Sequence, residues 1–431
     1  MSDTIQPVPA PIQTSDSAAP PPGKIAGGAR FLSTFFLANA GMYAIFQGMQ
    51  QIVLPTQIAA IDEGGKVGAY GLLASIGALA AAIGNPVFGA LSDRTRSRFG
   101  RRTPWLLIAA IVAALLLALL GGMTDLFWLG AAYIGVMLTM SAFQAVITAV
   151  MPDRVPEARR GMVSSIAGVA VTVGVIYGLN VAPFFVDRPV IAYLVIAALL
   201  LVGTLLLVFL TPDPTASRAA EAAPVARERQ SLRHFFSGLA DHDFAWAFWA
   251  RVAIMVGYWT ISTYQLYTLT DYIGVKNLPG GNIAAAVALL GTINMAASFV
   301  TTIVSGPLSD KLRRRKIFVI IASFGVAAGA LIPVFVPSFA GMIAYSIVAG
   351  LFFGIYSAVD QAIMTLVVPH AENNGRDLGL LNVATTGPQI ASPFIAALII
   401  TALGGYPPLF IFAAVAAALS AFFIIPIRKV R

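Results

Sequence analysis

The chain has 431 residues, of which 58% are hydrophobic and only 11% are charged, and its mean hydropathy is +0.83. Soluble domains are roughly a quarter charged, so this composition excludes an ordinary soluble protein and indicates one embedded in a bilayer. The net charge of +8 would suit a nucleic-acid partner, but the positions of the bases along the chain indicate membrane topology instead. The absence of cysteine excludes disulfides and thiolate metal sites.

Residues 1–29 are rich in Pro, Ser, Ala and Gln, with Lys24 as their only base. This composition predicts a disordered cytosolic tail that is too polar to be a secretory signal. We expect the first apolar helix to act as an uncleaved insertion signal.

Twelve apolar segments follow, each long enough to cross a hydrocarbon core of about 30 Å as a helix. They are predicted at about 31–54, 67–91, 105–122, 127–150, 161–184, 189–210, 244–270, 283–308, 317–335, 339–367, 379–402 and 407–427. The polar segment 211–243 divides them six and six. The sequence therefore predicts an all-α integral membrane protein with a bundle at 30–210, a cytosolic linker at 211–243 and a second bundle at 244–431.

The bases are distributed unequally between the two sides of these segments. Of the 27 Lys and Arg residues, 23 fall on the side of the N-terminus, three fall on the other side, and Arg251 lies inside a segment. The positive-inside rule then places both termini in the cytosol. We expect a multi-pass protein of the plasma membrane (a bacterial inner membrane), with the lipid bilayer and not nucleic acid as its partner.

Small residues four positions apart occur in two of the segments, as Ala80-x-x-x-Gly84 and Gly174-x-x-x-Gly178. Such spacing lets helix backbones approach closely in lipid. The main expectation is tight packing within each half, and a sliding surface during transport is the weaker one.

Two motifs recur at the same offset of 217 residues. Gly89-Ala-Leu-Ser-Asp-Arg94 returns as Gly306-Pro-Leu-Ser-Asp-Lys311, and the segment from Gln144 to Pro152 returns from Gln361 to Pro369. The halves are therefore copies of each other. A duplicated membrane protein is the architecture of a transporter whose substrate lies between the repeats.

The loop between the second and third segments carries a family resemblance. Its sequence from Ser92 to Trp105, with Asp93-Arg94 followed by Gly100-Arg101-Arg102, resembles the signature loop of the major facilitator superfamily. Four extra residues inside the loop make it similar to the glycoside–pentoside–hexuronide:cation symporters and the sucrose transporters. The resemblance implies the major facilitator fold, with twelve transmembrane helices in two pseudo-symmetric halves.

The resemblance also implies a gating role for this loop, because in the family the loop latches one conformation. Physically, a carboxylate at the end of a helix can pair with Arg101 or Arg102, and contacts made in only one conformation bias the equilibrium. The alternative is a basic loop that only sets topology. The implied gating residues are Asp93, Arg94, Gly100, Arg101 and, in the second copy, Asp310.

Two charges lie inside the predicted segments, Arg251 and Asp360. Each would cost at least ~2.5–3.5 kcal/mol in lipid, and both are about two turns from the same membrane face. We therefore predict an ion pair. It is either a fixed structural pair or a proton-coupling site, with Asp360 as the group that exchanges the proton.

Sodium coupling fits less well than proton coupling. The symporters named above use acidic residues in the second and fourth segments for sodium. Here the second segment contains no Asp or Glu, and Phe143 occupies the position in the fourth that matches Asp360. We expect transport to be coupled to protons or not coupled to an ion at all.

Uncharged polar side chains dominate the segments expected to line a cavity. Amides offer donors and acceptors together, and aromatic faces stack on sugar rings, so a neutral polyhydroxyl ligand is favoured over an anion. Amides at helical spacing also join helices to each other, which is the competing role. The predicted substrate contacts are Gln47, Gln144, Tyr264, Gln361, Tyr43 and Asn382, chosen from a set that also includes Gln51, Tyr258, Trp259 and Gln265.

The sequence thus predicts a secondary transporter that takes up a neutral sugar or glycoside with protons. A proton-driven exporter of amphipathic compounds is the alternative. The antiporter signature of the family that the chain resembles is a Gly-Pro pair with following glycines in the fifth segment. Its absence from 161–184 disfavours the exporter, whereas Gly387-Pro388 in the eleventh segment keeps it open. A non-transporting sensor or scaffold would need a larger soluble segment. No catalytic group, cofactor or metal site is expected, and a monomer is the default.

Overall fold

The computed structural model describes residues 28–97, 99–211, 236–312, 314–367 and 374–428. The first half of the described chain contains α1 (Gly28–Gly48), α2 (Leu54–Ile61), α3 (Lys66–Arg94), α4 (Thr103–Gly121), α5 (Leu126–Arg154), α6 (Arg160–Val181) and α7 (Pro189–Leu210). The second half contains α8 (His242–Thr263), α9 (Ile283–Leu312), α10 (Arg315–Phe335), α11 (Phe339–Val367), α12 (Asn374–Ala402) and α13 (Tyr406–Ile424). The predicted all-α fold is confirmed.

Eleven helices in the described residues are long and apolar enough to cross a membrane. The remaining predicted segment, 31–54, is formed by α1, a π-helix at Met49–Val53 and α2, which follow one another without a break. Most of the predicted tail 1–29 and of the predicted linker 211–243 lies outside the described residues.

The predicted segment 244–270 is not one regular helix. Helix α8 ends at Thr263, a single turn follows at Gln265–Tyr267, and a π-helix runs from Thr268 to Gly274. Moving the π-helix of the first half by the 217-residue repeat would place it on 266–270, which overlaps the second one. Both halves therefore interrupt their first helix at equivalent places.

Most helix packing occurs within each half, and two helix pairs make the most extensive contacts between the halves. Helix α1 packs on α6 and α7 in the first half, and α11 packs on α9 and α10 in the second. The two most extensive pairs between the halves are α3 with α12 and α6 with α9. Between these two contacts the halves can enclose a space.

The two ends of the bundle carry different sets of side chains. The end at which Lys66, Asp271 and Tyr406 meet is called the Lys66 face. The opposite end, where α3 ends at Arg94 and α5 ends at Arg154, is called the basic face.

Glycines allow α1 and α6 to pack at backbone distance. A Cβ on Gly174 would overlap the carbonyl of Ala40, and a Cβ on Gly178 would overlap the carbonyl of Ala44. The predicted tight packing at this motif is confirmed. Gly84 likewise lies against the Ser141 side chain of α5.

Gly178→Ala is expected to destabilise the protein by about 1–3 kcal/mol, because the added methyl group must push backbone away. Gly168→Ala on the same helix is the matched control, since a Cβ there meets nothing within 4 Å. It should be neutral or stabilise by up to about 1 kcal/mol. Thermal unfolding of the purified variants in detergent measures both, and equal stability of the two would contradict the packing.

Candidate functional site

A cavity with about 60 Å³ of water-accessible volume lies between the two halves. Helices α1 and α6 line it from the first half, and α8, α9 and α11 line it from the second. None of its lining residues is charged. They are Gln47, Gln51, Val175, Leu179, Tyr258, Trp259, Ile261, Ser262, Gln265, Gly291, Asn294, Met295, Tyr345 and Ser346.

The interrupted helices contribute amides to this cavity. Gln51 lies in the π-helix that follows α1, and Gln265 lies in the single turn that follows α8. Short π-helical segments are rare and frequently mark functional sites. In transporters built from repeats, discontinuous helices commonly form the substrate site.

Gln47 and Gln51 form a hydrogen-bonded amide pair on the wall of the cavity. Gln51 Nε2 donates to Gln47 Oε1 at 2.5 Å. Gln51 Oε1 is buried and has no hydrogen-bond partner within the protein. Leaving a buried acceptor unsatisfied costs about 1–3 kcal/mol, so this carbonyl would be stabilised by a hydrogen-bond donor that reached it.

A second polar network fixes the opposite wall. The Tyr258 hydroxyl donates to Asn294 Oδ1 at 3.0 Å, and Asn294 Nδ2 donates to the carbonyl of Ser346 at 3.2 Å. These contacts join α8, α9 and α11. Trp259 lies next to Tyr258 and adds an aromatic face to the lining.

The predicted ion pair is present in the second half. Arg251 Nε donates to Asp360 Oδ2 at 2.8 Å, and a second guanidinium nitrogen contacts the same oxygen. The Tyr356 hydroxyl donates to Asp360 Oδ1 at 2.9 Å. Arg251 is 4% exposed and Asp360 is 3% exposed, and neither lines the cavity.

An ion pair joins the halves at the Lys66 face. Lys66 Nζ at the start of α3 lies 2.8 Å from Asp271 Oδ1 and 2.6 Å from Glu63. Asp271 also accepts a hydrogen bond from the Tyr406 hydroxyl at 2.8 Å. Since Lys66 is only 7% exposed, this contact is partly shielded from water and from salt.

Three tyrosines pack beneath that ion pair. The rings of Tyr70, Tyr264 and Tyr267 lie 5.6–6.1 Å apart. The Tyr264 hydroxyl donates to the carbonyl of Val67 at 2.8 Å, and the Tyr267 hydroxyl donates to that of Pro55 at 2.9 Å. Both bonds cross from the second half to the first, so the Lys66 face is closed.

The halves separate toward the basic face. Leu179 packs on Gly291 and Asn180 Nδ2 donates to Thr292 at 2.7 Å, so α6 and α9 touch at the level of the cavity. On the same face of α6 as Leu179 but nearer the basic end, a Cβ on Gly168 meets nothing within 4 Å. Within the described ranges, four hydrogen bonds between the halves lie at the cavity or at the Lys66 face.

Two arginines form the ion pairs of the loop between α3 and α4, which lies at the basic face. Arg102 contacts Asp93 at 2.7 Å, Asp153 at 2.8 Å and Ser92 at 2.7 Å, and it is 4% exposed. Arg101 Nη2 donates to both oxygens of Asp153 at 3.0–3.1 Å. The loop is therefore anchored to the end of α5.

The other predicted gating residues occupy different environments. Gly100 has a φ of 98°, a left-handed conformation that favours glycine. Arg94 is exposed. Asp310 pairs with Arg315 at 2.6 Å on the surface of the second half, where an ion pair contributes little to stability.

The predicted substrate contacts do not all reach the cavity. Gln47 lines it. Tyr43 and Gln144 interact with each other and are not among the lining residues. Tyr264 is fully buried in the closure of the Lys66 face, and Asn382 is exposed. The side chain of Gln361 lies outside the described residues.

Sequence reasoning missed several residues that matter in this arrangement. Asn294 and Ser346 were overlooked, although Asn294 is an isolated amide in an apolar helix. Lys66 is one of the three bases counted on the side opposite the N-terminus, and Asp153 follows a proline that belongs to the repeated motif. In the described part of the chain, no group of three acidic or histidine side chains could hold a metal.

Comparison with known proteins supplies the family. The family model described as Major Facilitator Superfamily matches residues 36–290 and 281–431. No curated protein matches the chain significantly. The apolar helices, the interrupted first helix of each half and the cavity between the halves suit a multi-pass membrane carrier. The chain belongs to the major facilitator superfamily and is a secondary transporter of that family.

Proposed function

We propose that this transporter takes up a neutral sugar or glycoside together with protons, by alternating access. The single observation that carries the proposal is the uncharged cavity between the halves, lined by amides and aromatic rings. An amide both donates and accepts hydrogen bonds, as a sugar hydroxyl does. The indole of Trp259 offers a face for the C–H surface of a sugar ring.

The charge distribution supports a neutral ligand over an ionic one. A bound anion would need a buried cation beside it, because an unpaired charge away from water is costly. The cavity lining offers none. The nearest intramembrane cation is Arg251, which is already paired with Asp360.

Alternating access is supported by the unequal contacts at the two ends of the bundle. If the basic face is cytosolic, as the positive-inside rule predicts, the structure is closed to the outside and separated toward the cytosol. Entry of substrate from outside then requires the Lys66–Asp271 pair and the tyrosine hydrogen bonds to break. A few polar contacts of this kind can be broken and remade in each transport cycle.

Proton coupling through Asp360 is supported by its position inside α11 and its pairing with Arg251. A carboxylate there exchanges a proton only if Arg251 moves away or is compensated. That requirement links protonation to a change in helix packing, which is what coupled transport needs. No sodium site is proposed.

Export of amphipathic compounds is the second candidate. Val175, Leu179, Ile261 and Met295 line the cavity beside the amides and would accept an apolar group. Direct transport measurements with both classes of compound separate the two candidates.

Gln51→Leu is expected to weaken sugar binding about tenfold or more, because it removes the unpartnered carbonyl and leaves hydroxyls of the ligand unsatisfied. Quenching of tryptophan fluorescence by a panel of mono- and disaccharides measures the affinity, with Trp259 in the cavity as reporter. Gln50→Leu is the matched control, since Gln50 is in the same π-helix but is not a lining residue. An equal loss in both variants would contradict the assignment.

Asp271→Asn is expected to favour opening of the Lys66 face by about 1–2 kcal/mol, or roughly five- to thirtyfold in population. The cause is loss of the charge that holds Lys66. Since the chain has no cysteine, a single Ser75→Cys reporter can be labelled with an impermeant maleimide. Ser75 lies one turn beyond Gly71, which packs against the Tyr264 hydroxyl, and its side-chain oxygen is buried.

Asp187→Asn is the control for this experiment, because Asp187 is exposed on the same side of the membrane. It should leave the rate of labelling unchanged. A rate in Asp271→Asn that matches the control would show that the ion pair does not hold the face closed.

Asp360→Asn is expected to abolish uphill accumulation driven by a proton gradient while sparing exchange of labelled for unlabelled substrate. Loss of the carboxylate leaves Arg251 unpaired, which can destabilise a protein by about 3–5 kcal/mol. The double variant Arg251→Gln/Asp360→Asn removes both charges and provides a second test. Normal uphill uptake in either variant would remove Asp360 from the coupling mechanism.

A further inference from the structure

The proposed ligand site and the proposed proton site do not touch. Asp360 is 3% exposed and is absent from the cavity lining. Both of its oxygens are occupied, Oδ2 by Arg251 and Oδ1 by Tyr356. A ligand in the cavity therefore affects this carboxylate indirectly, through the groups that lie between them.

A continuous row of aromatic rings spans that gap. The rings of Tyr258 and Phe353 are stacked face to face, with centroids 3.9 Å apart and an interplanar angle of 13°. Phe353 in turn lies 6.2 Å from the ring of Tyr356 at an angle of 28°. Tyr356 ends the row with its hydroxyl on Asp360 at 2.9 Å.

The cavity end of the row is part of the ligand site. Tyr258 lines the cavity and donates its hydroxyl to Asn294, which is also a lining residue. A ligand that hydrogen-bonds to Asn294 competes for the oxygen that holds Tyr258. Such a ligand acts directly on the first ring of the row.

The same two helices hold both the stack and the ion pair. Tyr258 and Arg251 are seven residues apart on α8, and Phe353 and Asp360 are seven residues apart on α11. Residues at that spacing lie on one face of a helix. A shift of one helix along the other therefore moves the stack and the ion pair together.

We propose that Phe353 and Tyr356 are positioning residues that transmit occupancy of the cavity, through Tyr258, to the Arg251–Asp360 pair. This inference rests on the proposed proton-coupled function. Arg251 from α8 and Tyr356 from α11 are the charged and titratable groups found against Asp360 in the described residues. By linkage, a ligand that alters proton binding at Asp360 must itself bind with a pH-dependent affinity.

The test measures the dissociation constant of the best-binding sugar of the panel as a function of pH, for full-length protein in detergent. We expect the wild-type affinity to change about tenfold or more across the pH range. Phe353→Leu removes the stacked ring and should reduce that change to less than about threefold. Phe353→Tyr keeps the ring and should keep the change.

Two further variants separate positioning from general damage to the helix. Phe352→Leu removes a neighbouring ring that packs on Gly325 of α10, and it should leave the pH dependence intact. Tyr356→Phe removes only the hydroxyl that contacts Asp360 and should flatten the pH dependence as Phe353→Leu does.

The inference is overturned if Phe353→Leu weakens binding by the same factor at every pH, since that result means a structural role only. It is also overturned if sugar binds to the wild type with no dependence on pH. In the second case uptake of a neutral sugar still stands, whereas proton coupling does not. If no sugar binds, the proposed substrate class fails and the inference falls with it.

Discussion

Hydrogen bonds from tyrosine hydroxyls to backbone carbonyls of the opposite half hold this protein in one conformation. Tyr264 reaches Val67 and Tyr267 reaches Pro55, while Lys66 and Asp271 pair above them. Because the halves are joined there and separate toward the basic face, the space between them becomes a cavity with a closed end. The location of the proposed ligand site and its access from one side both depend on this closure.

The cost of polar groups in hydrocarbon explains how the remaining side chains are distributed. A charge inside a membrane-spanning helix is tolerated when it is paired, as Arg251 and Asp360 are. Uncharged amides are less costly and are concentrated on the cavity wall, where Gln51 keeps an unpartnered carbonyl. The pairing that makes Asp360 tolerable leaves it outside the cavity lining, and the rings of Tyr258, Phe353 and Tyr356 form a row of contacts between the two.

The sequence predicts the helices, the duplication and the Arg251–Asp360 contact well, because hydropathy, repeat spacing and depth in the membrane are one-dimensional properties. It predicts the cavity lining less well. The hydropathy predicts one continuous segment through 244–270, whereas the interruption after Thr263 gives Gln265 a place in the lining and Tyr264 a place in the closure. The position of Asn294 in the lining depends on how closely α6 and α9 approach each other at Leu179 and Gly291. No periodicity in the sequence encodes that distance.

Proton-coupled sugar uptake is tested most directly with liposomes that contain the purified wild-type protein. An inward proton gradient is imposed, and labelled mono- and disaccharides are compared with amphipathic cations. We expect at least one sugar to accumulate and a protonophore to abolish the accumulation. Proton-linked movement of the amphipathic cations without any sugar transport would contradict this function and would identify the protein as an exporter.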